Sequence, residues 1–352
     1  MASLKELRTH IDEVPEFCQT ELWPKVEKFN EEHKVDTGNL VKQVKTWGPL
    51  VGAGLLVIFL FKNAQESTLK LIVQWIGMGA AAFGGFHISK DLRTVLMASV
   101  KRAQAQRVLI SEFKVKIIKS LCKTFSYSPT NPFPVELYKS CGLFSPSYDT
   151  ASSEDHVVGQ LEKTQFELQE IKTFNKESYK DSKGRRQTRY IPIFKGILFL
   201  ADFNKNFKGH TVVKTDTAEK ALGLLGRSAQ RLFSATSSLK LVELENPEFE
   251  SQFKVLSTDP VEARYILSAS FMEALTRLRG KYGAGVQVSF LNSTIVIAIP
   301  HDRGFMDFGF SLDNLTRDAS KMCEELYDIL EIVEDLELNN RIWNKNNQQA
   351  GA

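Results

Sequence analysis

Apolar and polar positions follow three rhythms along this chain, and each predicts a different kind of element. Near the start, Leu4, Leu7, Ile11, Val14 and Cys18 recur three and four apart, which puts them on one helical face. Pro15 and Pro24 are expected to break or restart that helix, leaving Leu22, Trp23, Val26 and Phe29 on a second short one. The rhythm then disappears into unbroken apolarity. Thr46 to Phe61 carries no charge, and after KNAQES a second uncharged run spans Leu71 to Phe86. A helix apolar on every face is buried in lipid or in a large core. The sequence therefore predicts a helical transmembrane hairpin anchored by Trp47, Leu55, Leu56, Ile58, Phe59, Leu71, Ile72, Trp75, Ile76 and Phe83. Each run falls short of the ~20 residues that cross a bilayer unaided, so Lys45, Lys62 and Lys70 would have to snorkel. Gly52, Gly54, Gly77, Gly79, Gly84 and Gly85 would let the two helices approach closely.

From Ser89 to Phe125 there is no Pro or Gly, and Leu92, Leu96, Ser99, Ala103, Gln106, Ile110, Phe113 and Ile117 mark a long helix. Beyond SYSPTNPFP the period becomes two. Thr164, Phe166 and Leu168 alternate with Gln165, Glu167 and Gln169, and IPIFKGILFLADF supplies a partner strand across the loop KESYKDSKGRRQTR. HTVVKT, LKLVELE and FKVLST read as further strands, and VQVSFL with TIVIAIP reads as a hairpin turning at Asn292 and Ser293. Asp259, Pro260 and Glu262 predict a capped helix start, repeated at Ser270 and Glu273. The last helix carries a seam at Leu315, Ala319, Met322, Leu326, Ile329, Val333 and Leu336. Of these, Leu315, Met322, Leu326, Ile329, Val333 and Leu336 are candidates for self-association, and the same stripe also suits packing on the chain's own sheet. The fold class expected is α+β: an antiparallel-dominated mixed sheet with flanking helices, preceded by the transmembrane hairpin and a long basic helix. The segments expected are a helical arm (1–45), the hairpin (46–88), the basic helix (89–125), the α+β domain (126–308), an acidic heptad helix (309–338) and a disordered tail (339–352).

Charge adds orientation. Lys42 and Lys45 precede the apolar pair and Lys90, Arg93, Lys101, Arg102 and Arg107 follow it, so both ends are expected on the cytosolic side of the membrane. Over 352 residues, 45 Lys+Arg nearly balance 42 Asp+Glu, which argues against a nucleic-acid binder. The four cysteines are far apart, without metal-ligand spacing, and the N-terminus lacks the features of a secretory signal; reduced thiols are expected.

Several phrases carry a resemblance. YKSCGLFSPSYDTASSEDHVVGQLEKTQFELQEI, KGILFLADFNKNFKGHTVV, ENPEFESQFKVLSTDPVEARYILSASFMEAL and VSFLNSTIVIAIP occur in this order. With the preceding helical arm, apolar hairpin and basic helix, they resemble the bacterial family catalogued as domain of unknown function 3137. The resemblance implies a membrane hairpin before a soluble domain, and no catalytic residues.

No Walker loop, dinucleotide fingerprint or GxSxG elbow is present, and no cofactor or metal is expected. His156, His210 and His301 each have polar neighbours but share no ligand spacing. Asp202, Glu262 and Arg264 could converge in a hydrolase acting on lipid or nucleotide, or could simply cap a helix and form an ion pair. The basic cluster Lys180, Lys183, Arg185, Arg186 and Arg189 could touch anionic lipid or be a solvated hairpin tip; Lys183, Arg185, Arg186 and Arg189 are the candidates for lipid contact. The preferred expectation is a membrane-anchored scaffold whose α+β domain binds a protein partner or itself; the alternative is an enzyme at the cytosolic face.

Overall fold

The structure, a computed structural model, describes residues 3–60, 68–144, 147–203, 205, 207–215, 239–301, 304–308 and 312–338, with side chains left out at 60, 68–74, 312 and 313. The predicted tail at 339–352 lies outside them. The chain forms two compact units: residues 22–112, and residues 1–21 together with 113–352.

Helix α1 (Leu4–Phe17) opens with a capping box in which Ser3 Oγ accepts from the Glu6 amide and Glu6 accepts from the Ser3 amide. Pro15 does not break it. The chain continues to Phe17, widens into one π turn at Cys18–Leu22, and restarts as α2 (Trp23–Glu32) with Pro24 in the first turn, where a missing N–H costs nothing. Helix α3 (Gly38–Leu60) holds the first apolar run, and α4 (Thr68–Leu121) holds the second and continues through the basic stretch as one helix. Within residues 22–112, α2 is tied to α4 by Arg102, which donates to Asn30 Oδ1 at 2.7 Å, and by Lys25 with Glu112 at 2.5 Å. A Cβ added at Gly54 would lie 2.5 Å from the Gly77 carbonyl oxygen, so α3 and α4 touch backbone to backbone, as the glycines predict. Among the described residues, however, no helix is long and apolar enough to cross a membrane. The uncharged runs amount to about 16 residues, roughly 24 Å of helix against a hydrocarbon core of about 30 Å. A spanning hairpin is therefore unsupported.

The other unit is built on one nine-stranded sheet: β1 (Ser126–Thr130), β2 (Thr150–Leu161), β3 (Thr164–Lys180), β4 (Arg186–Asp202), β5 (Thr211–Thr215), β6 (Lys240–Val242), β7 (Phe253–Ser257), β8 (Gln287–Leu291) and β9 (Thr294–Pro300). Their order is β1-β2-β3-β4-β9-β8-β5-β7-β6, and among the described residues every pairing is antiparallel. The α+β class is as expected, and the sheet is antiparallel rather than mixed. Asn292 and Ser293 turn β8 into β9 with φ of 52° and 59°, the two left-handed residues of a tight hairpin turn.

One row of the sheet, Leu168, Phe199 and Ile297, is buried, with Phe166, Ala201 and Ile295 beside it. On the opposite face Leu198, Val212, Val296 and Ala298 pack with Tyr138, Cys141, Leu143 and Phe144, carried by the short helix α5 (Val135–Ser140) and the segment after it. Around the sheet run α6 (Pro247–Gln252), α7 (Pro260–Ile266), α8 (Ala269–Tyr282) and α9 (Leu312–Asp335). Helix α1 packs along α9. Asp259 caps α7 as predicted, accepting from the amides of Val261 and Glu262, whereas α8 is capped by Ser268 rather than Ser270. All four cysteines are free. Burial pushes the Cys18 and Cys141 thiols up to about 11, which keeps them protonated and inert.

Candidate functional site

Where β1 to β4 and β9 meet at one end of the sheet, alternation brings polar side chains onto an uncovered face. The cross-strand row Ser126, Val158, Glu167 and Leu200 is followed by Gln160, Gln165, Asp202 and Thr294. Together with Thr124, Lys163 and Phe166 they line an open groove of 1040 Å³. His156 stands beside it, its Nε2 2.7 Å from Glu167 Oε1. The groove offers hydrogen-bonding groups of both polarities over an apolar floor, the usual composition of a ligand cleft. Among the described residues no three His, Cys, Asp or Glu side chains are grouped to hold a metal.

Of the three residues proposed to converge, only Asp202 lines this groove. The Glu262 carboxylate accepts the amides of Lys208 at 2.8 Å and Gly209 at 2.6 Å, tethering the loop before β5 to α7. Arg264 donates to the Glu243 and Pro260 carbonyls, which are backbone oxygens rather than a carboxylate. Both side chains are engaged by backbone groups, and neither lines the groove.

His210 is a structural pin. Its Nε2 lies 3.0 Å from the Cys141 carbonyl oxygen and 3.1 Å from Ser289 Oγ. A carbonyl only accepts, so Nε2 carries the hydrogen. Burial lowers its pKa, the Cys141 hydrogen bond works against that shift, and the charge of Lys214 adds to it. The unfolded state therefore binds a proton near pH 6.5 that the folded state refuses, so this contribution to stability is complete above that pH and is lost as pH falls through the folded value. Between pH 7.5 and 5.5 the urea midpoint of the parent protein is expected to fall more than that of His210→Gln; equal slopes would show that His210 is not held neutral.

The self-association seam is closed within the chain. Leu315, Met322, Leu326, Ile329, Val333 and Leu336 are each at most 4% exposed. Leu4, Leu7, Ile11 and Val14 of α1, which packs along α9, are equally buried. The acidic outer face of α9 is partly neutralised, Glu324 by Arg8 at 2.5 Å and Glu331 by Lys281 at 2.8 Å. A heptad stripe looks the same whether it covers a partner helix or its own core, and here burial places it in the core.

The hairpin residues are different. Leu55, Leu56, Phe59, Trp75, Ile76 and Phe83 each expose more than half of their surface, while Trp47 and Ile58 are half-buried. Leu71 and Ile72 are among the side chains outside the description. Trp47 stacks on His87 at 4.8 Å, with Phe83 edge-on at 5.4 Å. Lys183, Arg185, Arg186 and Arg189 lie at the exposed tip of the β3–β4 hairpin.

Sequence reasoning missed one buried polar cluster. Lys114 Nζ meets Asp155 Oδ1 at 2.8 Å, and the Tyr127 hydroxyl donates to the same carboxylate oxygen. No spacing announces three residues drawn from a helix, an edge strand and a bulge.

Residues 192–338 match the model of a family described as "Protein of unknown function (DUF3137)". That segment belongs to the DUF3137 family. The DUF3137 match opens within β4 and closes just after α9, narrower than the resemblance read from the sequence, which began at Tyr138. It contains Asp202, Glu262, Arg264 and the α9 seam, and leaves out the hairpin and β1 to β3. Among solved structures, the crystal structure of the mycobacterial trehalose monomycolate transport factor A, TtfA, matches at 9% identity over 63% of this chain and 95% of that one, with a TM-score of 0.31. A likeness so slight carries no conclusion. No curated protein matches the chain.

Proposed function

We propose that this chain is a membrane-attached interaction protein of the bacterial cytoplasmic membrane: α3 and the first part of α4 lodge in lipid, and the α+β unit serves as a cytosolic binding body for a protein partner or a second copy. The observation that carries the reading is the apolar surface of the helical pair. Leu55, Leu56, Phe59, Trp75, Ile76 and Phe83 face outward together with Phe86. Sheltering one such side chain from water is worth about 1.5–3 kcal/mol, so the group supplies on the order of 10 kcal/mol for entering lipid. The Trp47–His87 stack falls where the apolar runs end and Lys45, Lys90 and Arg93 begin, the composition of a bilayer interface. The shortness of the runs fits a hairpin that thins the bilayer or lies shallow in it, with its lysines snorkelling.

The protein is expected to stay in the membrane pellet after a carbonate wash, and a version lacking residues 46–88 is expected in the supernatant. Release of the intact chain by carbonate, with a single monodisperse species in detergent-free buffer, would sink the reading. Accessibility of the α+β unit to a protease added outside intact cells would overturn the orientation.

A further inference from the structure

Strands β3 and β4 outrun their neighbours. The last residue of β3 paired to β2 is Phe174, and the first residue of β4 paired to β9 is Gly196. Beyond Asn175 and Ile191 no third strand among the described residues pairs with them, and the Lys176 amide donates to Asp149 Oδ2 at 2.6 Å at the base; the pairs are Lys176 with Tyr190, Glu177 with Arg189, Ser178 with Thr188, Tyr179 with Gln187 and Lys180 with Arg186. Five cross-strand pairs extend about 17 Å at the usual rise of a strand. A two-stranded ribbon is marginally stable by itself in water, so this arm calls for a surface to lie on.

Its two faces differ in a way the sequence alone does not display. Side chains of directly paired residues share a face, and the faces alternate along the ribbon. On one face Arg189 is neutralised by Glu177, with Nε to Oε2 at 2.6 Å, and Arg189 also lies over the Tyr179 ring at 5.9 Å. The other face carries Lys176 with Tyr190, Ser178 with Thr188 and Lys180 with Arg186, and not one acidic residue. Lys180 and Arg186 are directly opposed, an arrangement that destabilises a hairpin unless an anion lies between or against the pair. At the turn, Asp181 is engaged elsewhere: it accepts from the amides of Lys183 and Arg185 and from Arg185 Nε. Those bonds, the Arg185 amide first, hold its carboxyl below the usual range, so it remains charged and occupied. Among the described residues Lys180, Lys183 and Arg186 have no carboxylate partner.

We propose that this face, Lys176, Lys180 and Arg186 with Lys183 at the turn and Tyr190 at its base, lies on the phosphate headgroups of an anionic lipid surface. The proposal rests on the membrane attachment proposed above. Charge complementarity selects the partner: a flat, diffuse anionic surface accepts four cations spread over about 17 Å, and Tyr190, 57% exposed, has the amphipathic ring suited to the headgroup layer. Each basic residue near such a surface strengthens binding roughly fivefold, so four are decisive at physiological salt and are screened within about 10 Å as salt rises.

The test is amide exchange over residues 176–190 of the full chain in nanodiscs of phosphatidylcholine alone or with one third phosphatidylglycerol, with co-elution reporting attachment separately. About tenfold slower exchange in the anionic discs is expected, abolished in 0.5 M salt and in the double variant Lys180→Gln, Arg186→Gln. The double variant Glu177→Gln, Arg189→Gln, on the neutralised face, should keep it. Attachment to the discs with equal exchange in both lipids would overturn the proposal, as would loss of protection in the second variant. Stronger protection by a duplex DNA than by anionic lipid would also overturn it, in favour of nucleic acid. Failure to co-elute would refute the hairpin reading alone, because phosphatidylglycerol vesicles added to the free chain still report on the arm.

Discussion

Replacing Asp155 with alanine is expected to destabilise the sheet unit by about 3–5 kcal/mol, the ordinary cost of breaking a buried ion pair from one side. The Lys114 and Asp155 side chains are 11% and 10% exposed, so little solvent remains to compensate Lys114 once its partner is gone. The Tyr127 hydroxyl loses its acceptor in the same step. Burial, reinforced by Asp155, holds this phenol far above its usual range, so ionisation offers it no escape. Asp155 also sits at φ 46°, beside the register shift in β2, where Asp is tolerated far better than alanine. The urea midpoint should fall accordingly, while the double variant Lys114→Met, Asp155→Asn, which removes both charges and retains an acceptor for Tyr127, should recover most of the loss. An unfolding free energy for Asp155→Ala within about 1 kcal/mol of the parent would mean that the pair is solvated and holds nothing together.

The same cluster marks where the sequence stops being legible. Elements whose pattern is local could be read. The alternation at Thr164, Phe166 and Leu168 gave β3, the run IPIFKGILFLADF gave the inner part of β4, and Asn292 with Ser293 gave the β8–β9 turn, because each pattern expresses one face buried and one not. Strands β1 and β2 could not. The first contains Pro129, tolerated because β1 is an edge strand, and the second, TASSEDHVVGQL, breaks its alternation at a bulge. Pro15 misled in the opposite direction: α1 runs through it to Phe17, and the irregularity is a π turn at Cys18–Leu22 that no residue pattern announced.

The candidate site was legible only in fragments. Asp202 was singled out and does line the groove, yet its neighbours there, Glu167, Gln160 and Lys163, come from the β2–β3 hairpin, and register rather than spacing brings them together. Glu262 and Arg264 were conspicuous for the opposite reason. A charged side chain that ties backbone groups of a loop is as noticeable in sequence as one that does chemistry, and only geometry separates the two. In the arm, the cluster of like charges was evident, but the distinction between a neutralised face and an unneutralised one depends on the β3–β4 register.

The other large effect is expected at Gly196, in the middle of that long strand. Gly196 is paired with Pro300 of β9 and has φ 157°. A Cβ built there would lie 2.1 Å from the Ile299 carbonyl oxygen, 2.8 Å from the His301 amide nitrogen and 2.9 Å from Pro300 Cα. All three are backbone atoms, so no side-chain rotation can relieve the contact, and β4 and β9 would have to separate. Just beyond, the His301 amide donates to the Lys195 carbonyl at 3.1 Å, a bond that separation would break. Gly196→Ala is therefore expected to cost at least about 4 kcal/mol, in the range reserved for backbone strain in a packed sheet. Gly184→Ala provides the contrast: its φ is 76° but nothing lies within 4 Å, so it should carry only the left-handed penalty of about 1 kcal/mol. Urea unfolding separates the two, and amide exchange at Ile197 to Ala201 should accelerate in the first variant and not in the second. Equal midpoints for both would show that β4 and β9 can part at this point without cost, and that the sheet is held together elsewhere.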